Sequence, residues 1–183
     1  ASRGREAIAQ IQAAVPGASL RLVLCDLADL GAVDAAAEAL SDGPLHGLVH
    51  NAGLLPQARE ITPAGHELTV AVHLVGPVRL TARLLPRLRA ADDARLLWVS
   101  SGGMYPRRLS LEALRRLTGA YDGVAAYADT KRAQVVLSEV LAQRLAPDVA
   151  VNAMHPGWAA TPGVESSLPG FFKFTQGRLR TSA

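Results

Sequence analysis

Apolar residues along the chain switch between two spacings. Ala7, Ile8, Ile11, Ala14 and Val15 share one helical face until Pro16-Gly17 stops the run, which predicts an amphipathic helix over residues 4–15. Leu20 to Cys25 is a short apolar run closed by Asp26, the pattern of a strand buried on both faces. Helical periodicity returns over Gly31 to Leu40 behind Asp29 as N-cap, and Leu45 to His50 predicts a second strand ending at Asn51-Ala52-Gly53. Thr62-Pro63 offers a cap and a first-turn proline for a long helix reaching about Ala90, interrupted at Gly76-Pro77. Arg95 to Val99 is the third predicted strand and runs into Ser100-Ser101-Gly102-Gly103. Ser110 caps a short helix, Val124 to Leu145 forms a long one, and Val149 to Met154 is the fourth strand, closed by His155-Pro156-Gly157.

Strands separated by helices imply parallel pairing, because each crossover must return the chain to the same end of the sheet. The predicted class is therefore a wound α/β sheet, and such sheets bind ligands beyond the carboxyl ends of their strands. That rim collects Asp26-Leu27, Asn51-Ala52-Gly53, Ser100-Ser101 and His155-Pro156-Gly157. Each alone is ordinary turn chemistry. Four on one rim describe a ligand crevice.

Composition narrows the class. At 183 residues and 49% hydrophobic, the chain has the length and apolar content of one globular domain, which argues against disorder or a fibre. The single cysteine, Cys25, excludes an intrachain disulfide and a Cys-based zinc site, suits a reducing, cytoplasmic setting, and reads as a small core residue. Arg79, Arg83, Arg87 and Arg89 break the most hydrophobic stretch before it reaches the ~18 apolar residues of a membrane span. The histidines are poorly spaced for a metal: His66 and His73 lie about 10 Å apart along a helix. An isoelectric point near 9.5 invites a nucleic-acid reading, but the arginines are scattered with few aromatics among them, so this charge is a solvated surface. A hydrolase on Ser101 would want a glycine where Val99 stands.

The basic residues include only two lysines, Lys131 and Lys173. Tyr127 and Lys131 stand at i and i+4 near the front of the long helix and so share a face. A phenol with its ordinary pKa of about 10 is a poor base at neutrality, and a neighbouring ammonium favours the phenolate. The spacing permits that coupling.

Asp26-Leu27, Asn51-Ala52-Gly53, Ser100-Ser101, Tyr127-Ala128-Asp129-Thr130-Lys131 and Pro156-Gly157-Trp158-Ala159-Ala160-Thr161 occur in the order and spacing of the short-chain dehydrogenase/reductase family, which the sequence resembles over roughly residues 4–165. The words around Ser100 to Tyr105, Tyr127 to Gln134 and Met154 to Val164 look most like its retinol-dehydrogenase-like branch. The resemblance implies a Rossmann-like doubly wound parallel sheet and an NAD(P)-dependent carbonyl/alcohol oxidoreductase acting on a small-molecule substrate. It makes Tyr127 the acid/base, Lys131 its partner and a ligand of the nicotinamide ribose, and Ser101 the donor to the substrate oxygen. Asp26 and Leu27 would meet the adenine, Asn51, Ala52 and Gly53 the adenosine side, and Pro156, Gly157, Trp158 and Thr161 the nicotinamide.

Two departures from the family pattern stand out. Where many members carry an Asn that supports a proton-relay water, this sequence has His73 in His73-Leu74-Val75-Gly76, readable as a water holder or as a packed helix histidine. The first strand, glycine-rich turn, first helix and second strand of the family are not found, so the resemblance implies a partial domain, 1–183, lacking the first βαβ unit. The residue that selects NAD or NADP would lie in that unit. Residues 166–183 fall where the family has a substrate lid or C-terminal segment. The 168–174 stretch gathers all three phenylalanines and suggests, as a minor reading, a membrane-surface contact. A homo-oligomer is compatible with this reading. The rival expectation is a non-catalytic dinucleotide-binding or interaction domain, or an inactive fragment of such an enzyme.

Overall fold

The computed structural model describes residues 2–40, 42–157, 159–160, 173 and 180–181. Helices α1 (Ser2–Ala14) and α2 (Leu30–Ala39) precede a parallel sheet whose strands β1 (Gly47–His50), β2 (Ala94–Val99) and β3 (Val149–Met154) lie in the order β1-β2-β3. The register sets His50 beside Trp98 and Val99 beside Met154, so the three carboxyl ends open on one rim. The chain returns from β1 to β2 through α3 (Leu68–Val70), a π-helical turn (Ala71–Val75) and α4 (Gly76–Arg89). It returns from β2 to β3 through α5 (Leu111–Leu114) and α6 (Gly123–Leu145).

Local chemistry starts these helices where the sequence predicts. Asp29 accepts from the Gly31 and Ala32 N–H groups, Ser110 from Ala113, and Asp122 from Val124 and Ala125. The core lies between sheet and helices: Leu96 and Trp98 of β2 pack with Leu85 and Leu88 of α4 and Leu137, Leu141 and Leu145 of α6. Both helices therefore cover one face, while Val49 and Met154 on the other are exposed. Helix α2 joins α4 through Asp34, paired with Arg79 and Arg83, and Glu38, paired with Arg83. The Leu68–Arg89 run is, by length and composition, apolar enough to cross a membrane. Here its buried Thr69, His73, Thr81, Leu84 and Leu88 belong to the packed interior.

Four expectations are corrected. Residues 20–25 form no strand: among the described residues nothing pairs with them, and an apolar run without a neighbouring backbone leaves its N–H and C=O groups to solvent. Leu20, Leu22 and Leu24 are exposed, and so is Cys25, which is not a core residue. Thr62 does not cap the long helix. It closes a turn through Gly65, at φ 81°, and the cap is Glu67, whose carboxylate accepts from Val70 N–H at 3.0 Å. Gly76-Pro77 does not interrupt the helix either. Pro77 lacks the N–H that would bond the carbonyl of His73, and the preceding turn widens so that Gly76 N–H reaches Ala71 O.

Candidate active site

Lys131 is the centre of the site. Its side chain is buried on α6, and Nζ donates to Val99 O, the last residue of β2, at 2.9 Å. The same Nζ lies 5.5 Å from the centroid of the Tyr127 ring one turn earlier. Burial pulls the Lys131 pKa down to about 8.

The two serines beyond β2 have different work. Ser100 is buried, and its Oγ donates to Lys131 O at 2.8 Å, which ties strand end to helix. Ser101 caps the short 3₁₀ turn Gly102–Met104, its Oγ accepting from Gly103 N–H at 3.3 Å. The hydroxyl proton of Ser101 has no described acceptor and is available to a ligand.

His73 is fully buried in the π turn. Leu54 N–H, just past the Asn51-Ala52-Gly53 turn, donates to Nε2 at 3.0 Å, and Nδ1 meets Thr130 Oγ1 at 2.7 Å. Its ring stands edge-on to Tyr127 with centroids 5.4 Å apart. Burial first, and the Lys131 charge second, push its pKa down to about 3, so the imidazole is neutral. A Cβ on Gly53 would lie 3.1 Å from His73 Nε2 and 3.7 Å from Lys131 Nζ, so this turn must come close without a side chain.

The remaining predicted residues spread around this centre. Asn51 and Ala52 are exposed at the end of β1. Asp26 is exposed and caps its own turn through Ala28 N–H at 2.9 Å. Leu27 packs its carbonyl where a Cβ on Gly76 would come within 2.2 Å, which brings the 26–27 turn against the start of α4. Pro156 is exposed, and Gly157, at φ 82°, donates its N–H to His155 Nδ1 at 3.2 Å. Trp158, Thr161 and the 166–183 segment apart from residues 173, 180 and 181, with all three phenylalanines, lie outside the described residues.

Four contributors were given no role by the sequence reading. Thr130 donates to Tyr127 O at 2.8 Å, and Gln134 donates to His73 O at 2.9 Å. Arg107 grips Asp129 with two bonds of 2.7 and 2.8 Å, and Tyr105 Oη meets His155 Nε2 at 3.2 Å. Only the Gln134 contact had a sequence signal: Pro77 stands four residues after the carbonyl that it leaves free. Arg107 and Asp129 line a cavity of about 360 Å³ that includes Arg59 and Tyr121 but neither Ser101, Tyr127 nor Lys131. The reactive groups do not face that cavity.

The protein-family model described as Enoyl-(Acyl carrier protein) reductase matches residues 1–181. The chain belongs to the short-chain dehydrogenase/reductase family. Dehydrogenase/reductase SDR family member 12 from Homo sapiens is 42% identical over 139 residues, which is 76% of this chain and 44% of that protein. Retinol dehydrogenase 13 from Homo sapiens is 34% identical over 115 residues, 62% of this chain and 35% of that protein, and the chain falls in the retinol-dehydrogenase-like branch. It thus spans under half the length of these relatives. A solved structure from Beutenbergia cavernae, described as a putative NAD(P) dependent gluconate 5-dehydrogenase with bound NADP, matches with a TM-score of 0.71 and 26% identity over 93% of this chain and 68% of that one. The fold of this short-chain dehydrogenase/reductase is accordingly a partial Rossmann-like α/β sheet.

Proposed function

We propose that the protein transfers hydride between a nicotinamide cofactor and the carbonyl or alcohol carbon of an apolar small molecule, with Tyr127 as acid/base. One observation carries this reading: a buried Lys131 ammonium lies 5.5 Å from the Tyr127 ring centroid and bonds the strand end that leads into Ser100-Ser101.

The residues present fit a nicotinamide dinucleotide. Lys131 Nζ has one described acceptor, Val99 O, so two of its protons remain for ribose hydroxyls. Asn51, Ala52 and Gly53 present exposed backbone at the end of β1, and Asp26 and Leu27 would meet the adenine. Pro156, Gly157, Trp158 and Thr161 would take the nicotinamide end. The cofactor, when bound, supplies or accepts the hydride.

In the reducing direction Tyr127 gives its hydroxyl proton to the carbonyl oxygen, and in the oxidising direction it takes the alcohol proton. Ser101 donates to the same oxygen and stabilises the charge that develops there. Lys131 places an ammonium 5.5 Å from the Tyr127 ring centroid, on the same face of the helix. Ser100 keeps Lys131 and the serine loop in register.

The decisive experiment uses the full-length protein. Tyr127→Phe is expected to lower turnover on an aldehyde and ketone panel by about 10²-fold or more while retaining NAD(P)H binding. Unchanged turnover would remove Tyr127 from the acid/base role, and NAD(P)H binding by the wild type without any turnover would transfer support to the non-catalytic dinucleotide-binding reading. A cytoplasmic location is part of the same proposal, supported by the exposed free thiol of Cys25, and cell fractionation tests it.

A further inference from the structure

We infer that His73 is a dry positioning residue for Tyr127, locking the Asn51–Gly53 turn to the helix that carries Tyr127 and Lys131 rather than holding a relay water. This inference rests on the oxidoreductase reading for its consequence, but its geometry stands alone.

The proton positions follow from donors that have no choice. Leu54 N–H can only donate, so His73 Nε2, 3.0 Å away, carries no proton. The ring proton is therefore on Nδ1 and points to Thr130 Oγ1 at 2.7 Å. Thr130 accepts it and passes its own hydroxyl proton to Tyr127 O at 2.8 Å. Every proton in the chain Leu54–His73–Thr130–Tyr127 has one place, and both ring nitrogens are used up. The imidazole also walls one side of the Tyr127 ring, edge-on at 5.4 Å.

The carbonyl of His73 is closed as well. Pro77 supplies no N–H to it, and a carbonyl left free in this way could receive water. Gln134 Nε2 occupies it instead at 2.9 Å, from a side chain that is itself buried. Gln134 Oε1 is buried without a partner, so an internal water here would belong to Gln134 and not to His73. Protonation of the ring would point an N–H at the Leu54 N–H, and the low pKa of His73 agrees with that penalty.

An Asn at this position carries its oxygen and nitrogen on one carbon and cannot reach Leu54 N–H and Thr130 Oγ1 from opposite sides of a ring. His73→Asn, the residue many family members have here, therefore separates the two roles. In the full-length protein, the lock predicts a fall in kcat of about tenfold or more for His73→Asn, together with weaker NAD(P)H binding, because the freed Asn51–Gly53 turn is part of the cofactor site. Thr130→Val keeps the ring but removes its partner. It should lower kcat in the same direction, and the double variant should be no worse than His73→Asn alone, because both act through one chain. A kcat for His73→Asn at or above wild type, or additive losses, would overturn the lock.

A second readout does not need turnover. Nitrogen-15 NMR of the histidine rings should show His73 as the Nδ1–H tautomer, unchanged between about pH 5 and pH 8. An Nε2–H tautomer, or titration within that range, sinks the lock by itself. The Nδ1–H tautomer in a protein with no turnover on any carbonyl would sink the oxidoreductase reading and leave the lock standing.

Discussion

Lys131 sits where an ammonium is expensive to bury, and the sequence spends one of its two lysines there. Because burial holds its pKa near 8 instead of 10.5, its charge is lost as pH rises through about 8. Turnover that depends on the charged form should therefore decline above about pH 8 in a pH–rate profile, and Lys131→Met should flatten that limb. A profile with no change up to pH 10 would argue against a charged Lys131 in the chemistry. Asp129, two positions after Tyr127 and so on another face of α6, has only 9% of its side chain exposed and gives both oxygens to Arg107. Arg107→Met leaves that carboxylate uncompensated. Since Arg107 is itself 39% exposed, the expected cost is about 1–3 kcal/mol in urea unfolding, below that of a fully buried pair. The i, i+4 spacing of Tyr127 and Lys131 was legible in the sequence, as was the order of the serines. The Arg107 partnership was not, since 22 residues separate it from Asp129 and loop closure decides it.

Among the elements, the long helix between β1 and β2 shows how a local rule can be right about a residue and wrong about its effect. Gly76-Pro77 reads as a break, yet the helix continues through a π turn, because packing on the sheet favours continuation and Gln134 takes the bond that Pro77 cannot make. Gly76 has its own reason: a Cβ there would sit 2.2 Å from Leu27 O, a backbone atom that cannot swing aside. Gly76→Ala should cost about 1–3 kcal/mol by thermal or urea unfolding and shift the Asp26–Leu27 turn, seen as chemical-shift changes around residues 26–28. An alanine variant with wild-type stability would show that this contact is looser than the geometry describes. The caps Asp29 and Ser110 were legible because capping is local. The strand predicted at 20–25 failed because pairing is not: hydrophobicity marks a segment able to be a strand, and only a neighbouring backbone makes it one.

For the molecule as a whole, two buried histidines set the response to acid. His50 bonds Thr81 at 2.7 Å and His73 bonds Thr130, and burial lowers their pKa values to about 4 and about 3 from 6.5. With native pKa values below the unfolded ones, the unfolded chain binds more protons between those limits. Stability is then fully present above about pH 6.5 and is lost as pH falls toward 4, by roughly 1.4 kcal/mol per pH unit for each histidine. Urea midpoints measured from pH 7 down to pH 4 should fall accordingly, and His50→Gln should remove part of the slope. A midpoint that does not move over this range would show that neither histidine is buried neutral.

Periodicity, caps and motif spacing are properties of neighbours along the chain, so the parallel α/β class, three of the strands and the long Tyr127 helix were legible in the sequence. Three outcomes rest on distant partners: residues 20–25 pair with nothing among the described residues, Cys25 is exposed, and His73 meets Leu54 and Thr130. Each of these depends on which distant backbone or side chain arrives beside the residue, and a burial energy has no value until that partner is in place.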